Sequence, residues 1–164
     1  MKRIYSVLVE NRAGVLCKVA GLFWRRCFNI DSLAVGPTDN PAVSRITILI
    51  DVNDRTAEQV ANQLSKLIPV MSVRRLKQDE TISRELILVK VRVRDRGQRD
   101  EIIQLSNIFR VSIVDVAMES LTICITGDQS KSDALLDLLA EFGILELVRT
   151  GTVALERGPR TIND

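Results

Sequence analysis

One order of apolar periodicities is written twice along this chain, and that repeat limits the fold more than any other feature. Residues 3–10 alternate as a strand, with Tyr5, Val7 and Val9 on one face and Ile4, Ser6 and Leu8 on the other. Over 14–26, Val15, Leu16, Val19, Leu22 and Phe23 recur at helical spacing. Strand patterns follow over 29–36 and 43–52, separated by the turn residues Asp39, Asn40 and Pro41. Asp54 suits the N-cap of a second helix carrying Ala57, Val60, Ala61, Leu64 and Leu67. Pro69 ends that helix, and 70–76 reads as a fourth strand.

The same order then returns. Residues 86–93 alternate, 99–109 form a helix with Ile102, Leu105 and Phe109 on its apolar side, and 111–117 and 121–126 are strands. In the helix 128–142, Leu135, Leu138, Leu139 and Phe142 make an i, i+3, i+4, i+7 stripe, with Gly143 as its C′ residue. Residues 144–148 return as a strand, and 152–155 add a short one.

Two βαββαβ units imply an α+β protein of two ferredoxin-like domains, each an antiparallel sheet with helices on one face. The expected division is 1–77, a polar linker over 78–83, and 84–164. Ile4, Leu8, Thr47 and Leu49 then lie beside Arg45 on the helix-free face of the first sheet, and a partly apolar face needs cover. Domains of about 75 residues bury only roughly 60% of their unfolded-chain surface, so pairing through sheet faces or edge strands is expected.

Composition removes whole classes of chemistry. The chain has no histidine, which excludes His-based triads, general bases and metal sites. Cys17, Cys27 and Cys124 are dispersed and form no C-x-x-C, the pattern of reduced thiols in a cytoplasmic protein. No apolar run reaches the roughly 18 residues of a membrane span, and residues 1–5 lead straight into a strand without a signal sequence. Aromatic residues make up only 4%, so the cores must be built from Val, Ile and Leu.

The informative segment is the first strand–helix junction, Glu10-Asn11-Arg12-Ala13-Gly14-Val15-Leu16. The first amides of a helix lack intrahelical partners and attract a carboxylate or phosphate. Gly14 lets a ligand approach the backbone without meeting a Cβ. Asn29 lies at the other end of the helix, so a site using both Asn11 and Asn29 needs two subunits. The competing reading makes Asn11 a helix cap and Asn29 a turn residue.

Two other functions share the topology. An acylphosphatase uses an anion-cradling loop with an arginine, but the loop around Arg12 lacks its G-x-V-Q-G-V-x-F-R pattern. An RNA-recognition module stacks bases on central-strand aromatics. Here 43–52 has none, the first strand offers Tyr5 alone, and Arg74-Arg75-Leu76-Lys77 is followed at once by Asp79 and Glu80. Nucleic-acid binding is therefore not expected. No phosphate-loop or dinucleotide motif occurs, so neither a catalytic residue nor a metal ligand is assigned. Trp24 reads as a core or interface residue.

Asn11-Arg-Ala-Gly-Val-Leu, Val19-Ala-Gly-Leu-Phe, Asn29-Ile-Asp-Ser-Leu-Ala-Val-Gly-Pro-Thr and Ser44-Arg-Ile-Thr-Ile resemble the ACT domain of acetolactate synthase (acetohydroxyacid synthase) small regulatory subunits. The resemblance continues through Arg84-Glu-Leu-Ile-Leu-Val-Lys-Val, Ile113-Val-Asp-Val, Thr126-Gly-Asp and Val148-Arg-Thr-Gly-Thr-Val-Ala-Leu-Glu-Arg-Gly. It implies an N-terminal ACT domain, a C-terminal ACT-like domain, and no catalysis in this chain. It implies a homodimer whose ACT domains pair side by side around a branched-chain amino acid, usually valine. It also implies a catalytic large subunit carrying thiamine diphosphate, magnesium and FAD, which this chain activates and makes valine-sensitive in branched-chain amino-acid biosynthesis. The ligand positions it implies are Asn11, Gly14, Val15, Leu16, Asn29 and Ile30.

Two positions depart from the pattern. Cys27 stands where Gly is expected, and a Cβ there costs on the order of 1 kcal/mol if the residue is left-handed. Ala34 replaces a Thr of some relatives, which bears on the choice among valine, leucine and isoleucine. The second junction, Val93 to Asp100, lacks the Asn-x-x-Gly-x-Leu element. The C-terminal domain is therefore expected to serve dimer stability and inhibitory coupling without an amino-acid pocket of its own.

Overall fold

The computed structural model describes residues 1–163, and the chain divides into two compact units. One comprises Met1–Ser83 together with the chain from Thr152 onward, and the other is Arg84–Gly151.

The first unit runs β1 (Lys2–Glu10), α1 (Val15–Arg25), β2 (Ser32–Pro37), β3 (Val43–Asp51), α2 (Asp54–Leu64) and β4 (Val70–Leu76). Its antiparallel sheet has the order β2-β3-β1-β4. Tyr5 lies opposite Ile48, and Val7 lies between Ile46 and Val73. These residues face Val15, Val19, Leu22 and Phe23 of α1 and Ala57, Val60 and Leu64 of α2 in one buried core. The Tyr5 hydroxyl donates to the Ala57 carbonyl at 2.8 Å, which ties the central strand to α2.

Local chemistry moves several boundaries from their expected places. Asn53, not Asp54, caps α2: its side-chain oxygen accepts from the Thr56 amide, and Asp54 opens the helix itself. Asp54 instead bridges Arg3 and Arg75, each at 2.7 Å. The helix stops at Leu64, after which the Lys66 and Leu67 amides turn back only three residues, to the Gln63 and Leu64 carbonyls. Asn29 does not begin β2, which starts at Ser32 once the Asp31 amide has joined the Leu49 carbonyl.

The helix-free face of this sheet is covered by the unit's own C-terminal segment. Thr152 N–H donates to Ser32 Oγ, Arg45 to the Ala154 carbonyl, Arg74 pairs with Glu156, and Ser72 donates to the Ile162 carbonyl. Leu8, Thr47 and Leu49 are accordingly buried. The short strand β9 (Val153–Glu156) pairs with β5 (Thr81–Arg92), whose opening residues belong to this unit. Residues 78–83 are thus only in part the polar connector expected of them: Thr81 is buried and already in a strand.

The second unit continues from β5 with α3 (Arg96–Phe109), β6 (Ser112–Val116), β7 (Ser120–Gly127), α4 (Gln129–Ala140) and β8 (Ile144–Arg149). The strand order β6-β7-β5-β8 repeats that of the first sheet. Ile87, Val89 and Val91 meet Ile123, Ile125 and Leu121 across the ladder, and Ile102, Leu135 and Leu139 cover them. The buried stripe of α4 is Ser132, Leu135, Leu136 and Leu139, while Leu138 is exposed and Phe142 lies past the helix end. Leu86, Leu88 and Val148 stay exposed on the helix-free face. Among the described residues, no helix is long and apolar enough to cross a membrane.

Candidate functional site

The junction between β1 and α1 is held open by its own backbone chemistry. Asn11 is clamped to the loop before β3: its N–H donates to the Ala42 carbonyl at 2.8 Å, and its Nδ2 donates to the Pro41 carbonyl at 2.8 Å. Asn11 is therefore not the helix cap. One N–H of its Nδ2 is used in that bond, and its Oδ1 remains as an acceptor. Arg12 folds back on Glu10, Nε to Oε2 at 2.5 Å. The chain then turns into α1 through Gly14, whose φ of +82° puts it in the left-handed region.

Gly14 occupies the N-cap position of α1 and supplies no side-chain cap. The other helices are each capped: Asn53 bonds Thr56 N–H, Asp95 bonds Gln98 N–H, and Asp128 bonds Lys131 N–H. Val15 N–H reaches the Arg12 carbonyl at 3.4 Å, and Lys18 N–H returns to Gly14. Leu16 and Cys17 are left as the open amides of the first turn, where the helix dipole favours an anion. Val15 is buried in the core, whereas Leu16 is 43% exposed. Leu16, Ala20 and Trp24 follow one another at four-residue spacing along the outer side of α1, and Trp24 is 80% exposed. Trp24 is therefore not a core residue.

The far end of α1 closes on a second unusual residue. Phe28 N–H donates to the Phe23 carbonyl and Cys27 N–H to the Trp24 carbonyl, the two bonds of a Schellman motif. Cys27 fills its left-handed position, with φ of +55°. The accompanying apolar contact is Phe23 against Phe28, edge to face with centroids 6.5 Å apart. Asn29 follows, exposed, with Nδ2 3.3 Å from Asp31 Oδ1, and Ile30 leans on the core.

Asn11, Gly14, Val15 and Leu16 thus share one junction, while Asn29 and Ile30 stand at the opposite end of an 11-residue helix. At 1.5 Å per residue that helix spans roughly 16 Å, too far for one small ligand to touch both ends. The second unit's equivalent junction is built differently. Asp95 already occupies the Gln98 amide, and Arg99 donates to the carbonyls of Ala117 and Met118. Sequence reasoning missed the tie between Ser32, at the start of β2, and Thr152, because 120 residues separate them and neither carries a local signal.

Residues 5–72 match the family described as the AHAS small subunit-like ACT domain, and residues 84–158 match the small subunit of acetolactate synthase. A probable acetolactate synthase small subunit from Methanothermobacter thermautotrophicus is 51% identical over 159 residues, covering 97% of this chain and 95% of the relative. The acetolactate synthase small subunit of Mycobacterium leprae is 50% identical over 157 residues, covering 96% and 92%. The crystal structure of the Thermotoga maritima small subunit superposes with a TM-score of 0.90 at 41% identity, covering 98% of this chain and 99% of that one.

Proposed function

This chain belongs to the acetolactate synthase small-subunit family, and from that premise we propose that it is the regulatory partner of a separate catalytic chain. In this reading it binds and activates the catalytic subunit, and it makes that subunit sensitive to valine. Thiamine diphosphate, magnesium and FAD belong to the partner, and the assembly works in the cytoplasm. The observation that carries the effector site is the uncapped start of α1 at Gly14. Valine's carboxylate would take the Leu16 and Cys17 amides. Its ammonium would meet Asn11 Oδ1 and, across a dimer interface, the partner subunit's Asn29.

Two features support a homodimer that brings those groups together. β2 is an edge strand with Val35 exposed, and the ridge of Leu16, Ala20 and Trp24 has nothing packed on it within the first unit. Exposed apolar surface next to a free edge is expected to pair. Leu86, Leu88 and Val148 offer a further apolar face on the second unit. Valine bound between two subunits can shift only an equilibrium whose states it binds differently. Inhibition then means that the valine-bound pairing of ACT domains holds the catalytic chain in a less active state, without dissociation.

Asn29→Ala is the cleanest test, because the side chain is exposed and its one bond, to Asp31, is long. Activation of the catalytic subunit should persist, while valine affinity measured by calorimetry should fall at least tenfold. Gly14→Asp should abolish valine binding by setting a negative charge against the ligand carboxylate. Wild-type valine affinity in both variants would overturn the assigned site.

A further inference from the structure

The turn between α2 and β4 carries an apolar side chain where turn chemistry favours a polar one. Val70 N–H donates to the Leu67 carbonyl at 2.9 Å, which puts Ile68 and Pro69 at the two corners. Gly, Asn, Asp and Ser are the ordinary corner residues beside Pro. Ile68 instead stands 87% exposed. The turn holds it rigidly. Leu67 and Val70 pack against the core on either side, Pro69 is buried, and the Pro69 carbonyl accepts the Glu10 N–H at 2.9 Å. A β-branched side chain on so fixed a backbone loses little entropy when a partner closes on it. Met71, three residues further on, is 61% exposed.

A single exposed apolar residue is ordinary. What marks this pair is that the other contacts of the first unit leave it open. β4 is the edge strand opposite β2, with β3 and β1 between them. At roughly 4.8 Å per strand the two edges lie about 14 Å apart, so pairing through β2 leaves β4 uncovered. The segment from Thr152 onward lies against the helix-free face, bonding Ser72, and still leaves Met71 exposed. The charges of β4 are satisfied within the unit, Arg74 by Glu156 and Arg75 by Asp54. What this edge offers a partner is therefore apolar.

We propose, on the reading of this chain as a regulatory partner, that Ile68 and Met71 seat it in an apolar pocket of the catalytic subunit. The contact lies one backbone hydrogen bond from the effector junction. Pro69 holds Glu10, and Glu10 opens the segment that runs through Asn11 to Gly14. An effector that binds two arrangements of that junction differently can thereby bias the contact.

The test measures activation of the purified catalytic subunit against the concentration of the full-length chain. Ile68→Ser should raise the half-saturating concentration about tenfold or more, as truncating a central interface residue does, with full activation regained at saturation. Ile68→Leu should keep most of the affinity, and Met71→Ser should lose less than Ile68→Ser. Ile108, 72% exposed on α3, is the control: Ile108→Ser should leave half-saturation unchanged. Melting temperature and the mass of the free chain by light scattering should match wild type in every variant. Wild-type half-saturation in Ile68→Ser, or an equal loss in Ile108→Ser, would overturn the proposal. So would a smaller mass for the free Ile68→Ser chain, which would make the contact one between copies. A wild-type chain that leaves the catalytic subunit unactivated would overturn the regulatory reading, and this contact with it.

Discussion

A Cβ built on Gly14 would meet no atom within 4 Å, so space within the chain does not require glycine there. The requirement is the φ of +82°, which costs other residues on the order of 1 kcal/mol. Gly14→Ala should therefore lower stability by about 1 kcal/mol, and Gly14→Asn by less, because Asn tolerates the left-handed region. Equal denaturation midpoints for the Ala variant and the parent would show that the turn relaxes elsewhere. Tyr5 offers a second test at this scale. Its hydroxyl is buried against Ala57, and desolvation pushes its pKa up to about 12, outweighing the nearby Arg75 and Arg3. The unfolded chain releases that proton near pH 10, so the folded state holds more protons between pH 10 and 12. The stability it contributes is complete below pH 10 and is lost as pH rises to 12. Tyr5→Phe should flatten that part of the pH–stability profile. A profile unchanged by the substitution would assign the alkaline loss to other groups. Asn11 shows how much of the site was legible one residue at a time. Its position beside a helix start suggested either a cap or a ligand group, and only the loop before β3, reached through Pro41 and Ala42, rules out the cap.

At the scale of elements, α1 is the helix whose two ends both break the usual pattern. Its start has no capping side chain, and its Schellman end carries Cys27 where glycine is the ordinary choice. Cys27→Gly should relieve the left-handed strain, offset in part by the greater entropy of glycine in the unfolded chain, for a net gain of up to about 1 kcal/mol. A lower melting temperature in that variant would mean that the exposed Cys27 side chain contributes a contact outweighing the strain. The strands were more legible than the helix faces. β4 runs over the residues expected, because Pro69 ends the preceding helix and marks its start. Leu16 and Leu138 were read into core stripes yet lie on exposed sides. A stripe of apolar residues wider than the contact it makes cannot say, from spacing alone, which edge faces outward.

For the whole molecule, the segment after Gly151 is the feature that local reading could not reach. It covers the helix-free face of the first sheet and ties it at Ser32, Arg45, Ser72 and Arg74. A chain ending at Gly151 would expose Leu8 and Leu49 and leave Arg74 without Glu156. We expect it to destabilise the first unit by on the order of 2–3 kcal/mol. Native-state hydrogen exchange should then show lost protection at Tyr5, Val7 and Ile46, while Ile123 and Ile125 in the second unit stay protected. Equal loss in both units, or none in the first, would contradict this account of the segment. The same reasoning makes residues 1–77 an incomplete fragment for ligand-binding work, since they lack their own cover.

The sequence by itself determined the repeated βαββαβ order, the strand alternation, the family, and the junction at Gly14. Each of these is local: periodicity, a glycine at a turn and short motifs are read within a few residues. Only the tertiary structure decided what covers the first sheet, that Asn11 is clamped rather than capping, and that Arg45 bonds the Ala154 carbonyl. Those facts depend on residues up to 120 apart meeting in space, as Ser32 and Thr152 do. Nothing in the chemistry of either partner alone announces such a meeting.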